Sequence, residues 1–207
     1  MKKILVIFAV AVLLGGCAFG KRYDYGRVSI NAPIGQTSVA VALNVMVHDR
    51  RPYVVSGGKA DSFVGLSRGG FGNPFDVRTA SGNPLSVEMA DSLANALTAR
   101  GFTVLKAHAQ PRDTQTEATR LLTTRAPAQR FLLLTLNEWK SDLMRNVDLH
   151  YDMKITVFDE KGVPIASAAQ KGVDALGRVG HAGIPPAFAR KVEALLEESQ
   201  VAAALKV

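Results

Sequence analysis

The segment NVDLHYDMKITVF, from Asn146 to Phe158, decides the fold of this 207-residue chain. Apolar and polar residues alternate along it. This alternation is typical of a strand with one buried face, because successive side chains of a strand point to opposite faces. A short turn from Asp159 to Gly162 follows, and Pro164 to Asp174 then predicts the returning strand of an antiparallel hairpin. The apolar face of the first strand consists of Val147, Leu149, Tyr151, Met153, Ile155 and Val157.

Further elements are predicted on both sides of this hairpin. The predicted strands are Val39–His48, Phe102–Ala107 and Arg130–Trp139, and the last of these contains a continuous apolar run that is typical of a central strand buried on both faces. Helices are predicted from Asn83-Pro84 to Gly101, over Asp113–Arg125 and after Pro185-Pro186. The order β-loop-α-β-α-β-β-β-α predicts an α/β (α+β) fold. It is a single domain over residues 39–207, with a mixed sheet of about five strands and helices packed on it.

The N-terminus has the pattern of an exported bacterial lipoprotein. Lys2 and Lys3 precede an apolar run, Ile4 to Leu14, that is too short to span a bilayer but suits a signal peptide. Two glycines then precede Cys17, which matches the lipobox, where the cysteine is acylated and becomes the new N-terminus. We predict a signal peptide over 1–16, lipidation of Cys17, and a lipidated N-terminus with a tether over 17–38. An ordinary secretory signal with an incidental cysteine is the alternative.

Composition and charge exclude several classes of protein. With 47% apolar and 21% charged residues, the chain is globular rather than disordered. Its single cysteine excludes an intramolecular disulfide and a zinc site built on cysteines. The net charge of +7 includes two lysines of the signal peptide and does not reach the charge density of a nucleic-acid binder. We therefore expect neither a nucleic-acid partner nor a cofactor.

The segment 49–83 is rich in glycine, proline, arginine and aromatic residues, and it predicts a long irregular loop. Surfaces that combine basic and aromatic side chains bind anionic glycans, lipid head groups or protein partners. Alternatively, the aromatic residues fold the loop onto the domain as a satellite core, and both interpretations can hold together. The candidate partner-binding residues are Arg50, Arg51, Tyr53, Phe63, Arg68, Phe71 and Phe75.

Two other patterns are explained more simply by structure than by a metal site or a phosphate-binding loop. Asp148, His150 and Asp152 share the polar face of a strand, but same-face side chains lie roughly 6.5–7 Å apart, so a solvated face explains them better than a metal site. The glycine-rich stretch from Ser67 to Pro74 lacks the Gly-Lys-Ser/Thr ending of a phosphate-binding loop. No histidine has a serine or cysteine in a recognisable nucleophile context, so we expect no enzyme and no metal.

The lipobox, the single α/β domain and the segment LTARGFTV from Leu97 to Val104 together resemble small envelope lipoproteins. The nearest resemblance is to the YajG-like family, which is related in architecture to ABC-transport auxiliary lipoproteins. It implies a non-catalytic binding or accessory module of an envelope complex, with an envelope protein as partner. Ala18 after the cysteine implies an outer-membrane location facing the periplasm, as in enterobacterial lipoproteins. The alternative is a phospholipid-handling component of a transporter, which a long apolar cleft would favour and a filled core would disfavour.

Overall fold

Eight strands and five helices are found in residues 21–35, 41–177 and 183–206, the part of the chain that the computed structural model describes. The strands are β1 (Arg22–Tyr23), β2 (Ala42–Asp49), β3 (Phe63–Arg68), β4 (Pro74–Thr79), β5 (Thr103–Lys106), β6 (Arg130–Leu143), β7 (Val147–Phe158) and β8 (Pro164–Gly177). The helices are α1 (Pro52–Val55), α2 (Leu85–Thr98), α3 (Gln115–Thr124), α4 (Ile184–Glu197) and α5 (Ser199–Ala204). None of these helices is long and apolar enough to cross a membrane.

Strand β6 is the centre of the sheet. Strand β7 pairs antiparallel along its whole length, and β8 continues as the next antiparallel strand. The other edge of β6 is shared: β2 pairs in parallel with Arg130–Leu136, and β3 pairs in parallel with Ser141–Leu143. Strand β5 lies outside β2, while β4 and β1 lie outside β3. The predicted mixed α+β single domain is therefore confirmed.

The sheet is buried on both faces where β2 and β6 pair. Leu132 and Leu134 of β6 pack in the larger core with α2 and α4, while Phe131 and Leu133 pack in a smaller core with α3. This confirms β6 as a central strand. In β2, Leu43, Val45 and Val47 lie in the larger core and Met46 lies in the smaller core, so both faces of this strand are covered.

The apolar faces of the C-terminal elements follow the predicted pattern. Five of the six apolar residues of β7 are fully buried, and Tyr151 is half-buried. In α4, the helix expected after Pro185-Pro186, one apolar stripe is buried as a whole against the larger core; it consists of Phe188, Val192, Leu195 and Leu196.

The predicted tether is wrong for residues 21–35, which belong to the domain. Tyr25 is fully buried: its backbone N–H donates to Glu88 of α2, and its ring meets Trp139 and Phe188 edge-on. The indole N–H of Trp139 donates to the Tyr25 hydroxyl at 2.9 Å. These aromatic contacts hold the segment in place, so the domain begins before residue 39. The predicted signal peptide and Cys17 lie outside the described residues.

The prediction of an irregular loop over 49–83 is also wrong. This segment contains α1, β3 and β4, and the last two strands form a hairpin that adds to the sheet beside β6. Together with β1, they account for the difference between the eight strands in the described residues and the expected number of about five.

Candidate functional site

The sheet forks where β2 and β3 share one edge of β6. Strand β2 ends opposite Leu136, and β3 joins opposite Ser141, which leaves a gap at Trp139 between the two pairings. Arg51, two residues after the end of β2, is fully buried in this gap. Its Nη1 donates to the carbonyl oxygens of Phe63 at 2.6 Å and of Trp139 at 3.1 Å. The guanidinium therefore satisfies backbone groups that the fork leaves without a strand partner.

Asp49 neutralises the charge of Arg51. Its carboxylate accepts from Nε at 2.8 Å and from Nη2 at 2.6 Å, a bidentate pair in which both side chains are buried. Burial alone would lower the pKa of Arg51, but the hydrogen bonds and negative charge of Asp49 outweigh it and raise this pKa. The prediction of Arg51 as a surface binding residue is wrong, because its side chain is unavailable to a partner.

Tyr53 and Phe63 also pack at the fork. The Tyr53 hydroxyl donates to Glu138 Oε1 at 2.5 Å, and its ring meets the buried Phe63 ring edge-on at 5.4 Å. Burial, together with the Glu138 hydrogen bond, raises the pKa of Tyr53 despite the opposing charge of Arg51. Phe63 is buried, so its side chain cannot contact a partner at the surface. These two residues thus follow the satellite-core interpretation.

Three of the predicted residues lie together in and around the β3–β4 turn. The Gly72 N–H donates to the Gly69 carbonyl at 2.8 Å, and Gly72 has a φ of +81°, which favours glycine. Between them, the Phe71 side chain is 99% exposed, and Phe75 is exposed beside the turn. Arg68 fixes the base of the turn, since its Nε and Nη2 donate to the two carboxylate oxygens of Asp142 at 2.8 and 2.6 Å. The turn therefore exposes Phe71 to solvent, while the Arg68–Asp142 pair holds β3 against β6 beside it.

Arg50 belongs to a different region, an open cleft of about 630 Å³ between the end of α1 and residues 110–113. Its Nη1 donates to the carbonyl oxygens of Pro111 at 3.1 Å and Asp113 at 2.7 Å, so it supports one wall. The cleft is lined by side chains of both charges and does not resemble a long apolar channel; its lining residues are Val54, Lys59, Ala60, Asp61, Gln110, Pro111, Arg112 and Asp113.

The polar face of β7 points outward. Asp148 is exposed, and Asp152 accepts from Asn137 Nδ2 and pairs with Lys171 Nζ at 3.1 Å. Within the described ranges, no three His, Cys, Asp or Glu side chains are grouped closely enough to hold a metal ion. The side chains of this face engage each other and solvent.

The seven predicted residues therefore separate into the fork, the cleft wall and the β3–β4 turn. Sequence reasoning missed Asp49, which neutralises Arg51, and Met144 in the β6–β7 turn, which is 68% exposed. The pairing of β3 with β6 brings this turn beside that of β3–β4, because Ser67 lies opposite Leu143. The spacing Asp49-x-Arg51 was visible in the sequence, but nothing in it marked the pair as buried.

Comparison with known proteins gives matches among solved structures alone. No protein-family model matches the chain, and no curated protein sequence matches it. A Xanthomonas campestris protein of family DUF330 has 14% identity and a TM-score of 0.49, and 86% of this chain and 88% of that chain are covered. Lipoprotein GNA1162 from Neisseria meningitidis has 13% identity and a TM-score of 0.45, with 74% and 95% covered. The PelC dodecamer from Paraburkholderia phytofirmans has 13% identity and a TM-score of 0.40, with 84% and 94% covered. None of the three is described as YajG-like, and similarity at this level carries no functional conclusion.

Proposed function

We propose that this chain is a lipid-anchored protein of the bacterial cell envelope that acts as a non-catalytic binding or accessory module. Cys17 carries the anchor, and the domain is held at the membrane to engage an envelope protein. The pattern at Ala18 favours the periplasmic side of the outer membrane. The resemblance to YajG-like proteins belongs to this proposal.

The observation that carries the proposal is the short distance along the chain between the anchor and the fold. The Lys21 carbonyl already accepts a hydrogen bond from the Arg78 N–H of β4, at 3.2 Å. Lys21 follows Cys17 by four residues, which span at most about 14 Å when fully extended. A lipid on Cys17 would therefore keep the domain against the bilayer, where a module that serves a membrane complex must work.

The filled core disfavours the phospholipid-handling alternative. Trp139, Tyr25 and Phe188 pack edge-on against one another, with ring centroids 5.8–6.3 Å apart, in the larger core between the sheet and the helices. This aromatic cluster occupies space that an acyl chain would need between sheet and helices. We therefore retain binding of a protein partner as the proposed function.

The test is cross-linking in cells followed by recovery of the chain with its partner. It compares the wild type with Cys17→Ala and with a chain carrying about 20 flexible residues between Gly20 and Lys21, which would let the domain move some 25 Å away. We expect a specific partner with the wild type, less with the insertion and none with Cys17→Ala. Circular dichroism checks that all three chains are folded. Equal recovery with folded Cys17→Ala would contradict the proposal.

A further inference from the structure

Two neighbouring turns project from one end of the sheet, which we call the turn end. It consists of the β3–β4 turn, Gly69–Asn73, and the β6–β7 turn, Met144–Asn146. Both turns carry an apolar side chain in solvent, Phe71 at 99% exposure and Met144 at 68%. Single exposed apolar residues are common on protein surfaces, but two such side chains on adjacent turns indicate a contact outside the domain.

The chain enters the fold with its upstream side toward this end. Strand β1 runs parallel to β4, with Arg22 opposite Arg78, and β4 runs away from the turn that precedes Pro74. Lys21 is therefore level with Val77, about 10 Å along the strand direction from Pro74. The connection back to Cys17, at most about 14 Å, is long enough to cover that distance.

The opposite end of the sheet lies far from the point where the chain enters the fold. Leu105 of β5 and the β7–β8 turn, which contains Val163, lie at the level of Phe131 on β6. Phe131 precedes Leu143 by twelve residues of the strand, or about 40 Å. A bilayer that holds an acylated Cys17 thus faces the turn end and not the opposite end.

The charge of the turn end fits a phospholipid surface. Lys21, Arg22 and Arg145 are exposed cations there, against two exposed carboxylates among the described residues nearby, Asp148 in the adjacent β7 and Asp24 after β1, the second of which pairs with Arg27. Arg68 is held by Asp142 and braces the turn rather than adding a free charge. Cations around exposed apolar side chains favour contact with anionic head groups, while the apolar side chains enter the interface.

We propose that the turn end inserts Phe71 and Met144 into the head-group region of the bilayer in which Cys17 is anchored. This second contact fixes the orientation of the domain and leaves its opposite end free for other components of the envelope. The inference rests on the proposed anchoring at Cys17, and it concerns the membrane itself as the partner of the turns.

The test anchors the domain chemically, so that its outcome does not depend on acylation in cells. Cys17 is the sole thiol of the chain, and the non-acylated mature protein can therefore be coupled to maleimide-phosphatidylethanolamine in phosphatidylethanolamine/phosphatidylglycerol vesicles. Phe71→Trp reports on the turn end, and Val163→Trp, at a 51% exposed position in the opposite turn, is the matched control. Tryptophan emission is measured with and without lipids brominated on their acyl chains.

We expect a blue shift and a loss of emission to brominated lipid for Phe71→Trp, and neither for Val163→Trp beyond the contribution of buried Trp139. Addition of Met144→Ser and Arg145→Gln to the Phe71→Trp chain should reduce the quenching. Equal emission changes for the two tryptophan variants, or no change for either, would overturn the proposal. Loss of a cross-linked protein in cells on Phe71→Ser, without lipid quenching in the Phe71→Trp chain, would make the turn end a protein contact and would also overturn it.

Discussion

Arg51 is the residue on which the forked sheet depends, because it supplies the donors that the missing strand pairing would have supplied. Arg51→Met leaves Asp49 charged and unpaired in the interior, and the carbonyl groups of Phe63, Trp139 and Asp61 each lose a hydrogen bond. We expect a loss of about 3–5 kcal/mol in the free energy of unfolding, measured by urea denaturation. Arg145→Met, at an exposed position, should change it by less than about 0.5 kcal/mol.

Adding Asp49→Asn to Arg51→Met tests the reason for this loss. Removal of the uncompensated charge should recover part of the stability, since burial of a neutral amide costs less than burial of a lone carboxylate. A double variant no more stable than Arg51→Met would show that the carbonyl hydrogen bonds, and not the charge, account for the loss.

His48 predicts a dependence of stability on pH. Its side chain is buried, Nε2 lies 3.3 Å from the Gln110 carbonyl oxygen, and Nδ1 has no partner among the described residues. Burial, and then the charge of Arg50, lower its pKa below 6.5, although the Gln110 carbonyl and the charges of Asp113 and Asp49 oppose this shift. The unfolded chain therefore binds more protons than the folded one between the two pKa values.

The contribution of His48 is present above about pH 6.5 and is lost as the pH falls from there through the lower folded pKa. His48→Gln should flatten this part of the profile of unfolding free energy against pH. The His108→Gln chain, altered at an exposed histidine, is the matched substitution control. An unchanged slope in the His48→Gln chain would show that other groups cause the acid sensitivity.

At the scale of single elements, β7 offers a direct test of which face is buried. Leu149→Asp places an unpaired charge in the larger core and should cost about 3 kcal/mol or more. His150→Ala, on the half-exposed opposite face, should cost less than about 0.5 kcal/mol. Thermal or urea unfolding of both variants checks this. Similar losses for the two would mean that both faces of β7 are packed.

Gly65 is required where β3 joins β6. A Cβ at this position would lie 2.1 Å from Ser141 Oγ and 2.4 Å from the Ser141 carbonyl oxygen, so the two strands would have to separate. Gly65→Ala should therefore destabilise the domain by about 1–3 kcal/mol. Gly70→Ala meets no atom within 4 Å and should be close to neutral. Unfolding midpoints in urea compare the two, and equal midpoints would contradict the close approach of β3 to β6.

The long, regular elements were predictable from sequence because each has its own periodicity. The pattern of β7, the apolar run of β6 and the stripe of α4 all indicate their burial without knowledge of the partner. Strands β1, β3 and β4 have two to six residues, and their glycines and arginines resemble a loop. Their pairing depends on Tyr25 meeting Trp139 and on Arg51 filling the fork, contacts between distant residues that no local pattern announces.

The candidate site was predictable only in part for the same reason. Basic and aromatic residues between Asp49 and Asn83 indicated a binding surface. Composition alone, however, does not distinguish an arginine in a buried ion pair, such as Arg51, from one in a partly exposed pair, such as Arg68. Phe71 differs from Phe63 in its flanking glycines, which place it in a turn. The proximity of Met144 required the register between β3 and β6.

At the scale of the whole molecule, the proposed orientation depends on a short connection between a lipid and a folded domain. If Cys17 is acylated, the domain stands on the bilayer, its turn end toward the lipid and its opposite end about 40 Å further away. If Cys17 is not acylated, no lipid orients the domain on the bilayer, and its protein partner need not belong to a membrane complex.

The most direct measurement is therefore the mass of the N-terminal peptide of the protein extracted from membranes. We expect a mature chain that begins at Cys17, with the mass of a diacylglyceryl group and any further acyl chain on that residue, and the loss of membrane attachment on Cys17→Ala. An unmodified Cys17, or a mature chain that begins after it while still in the membrane fraction, would contradict the anchoring of the domain through Cys17.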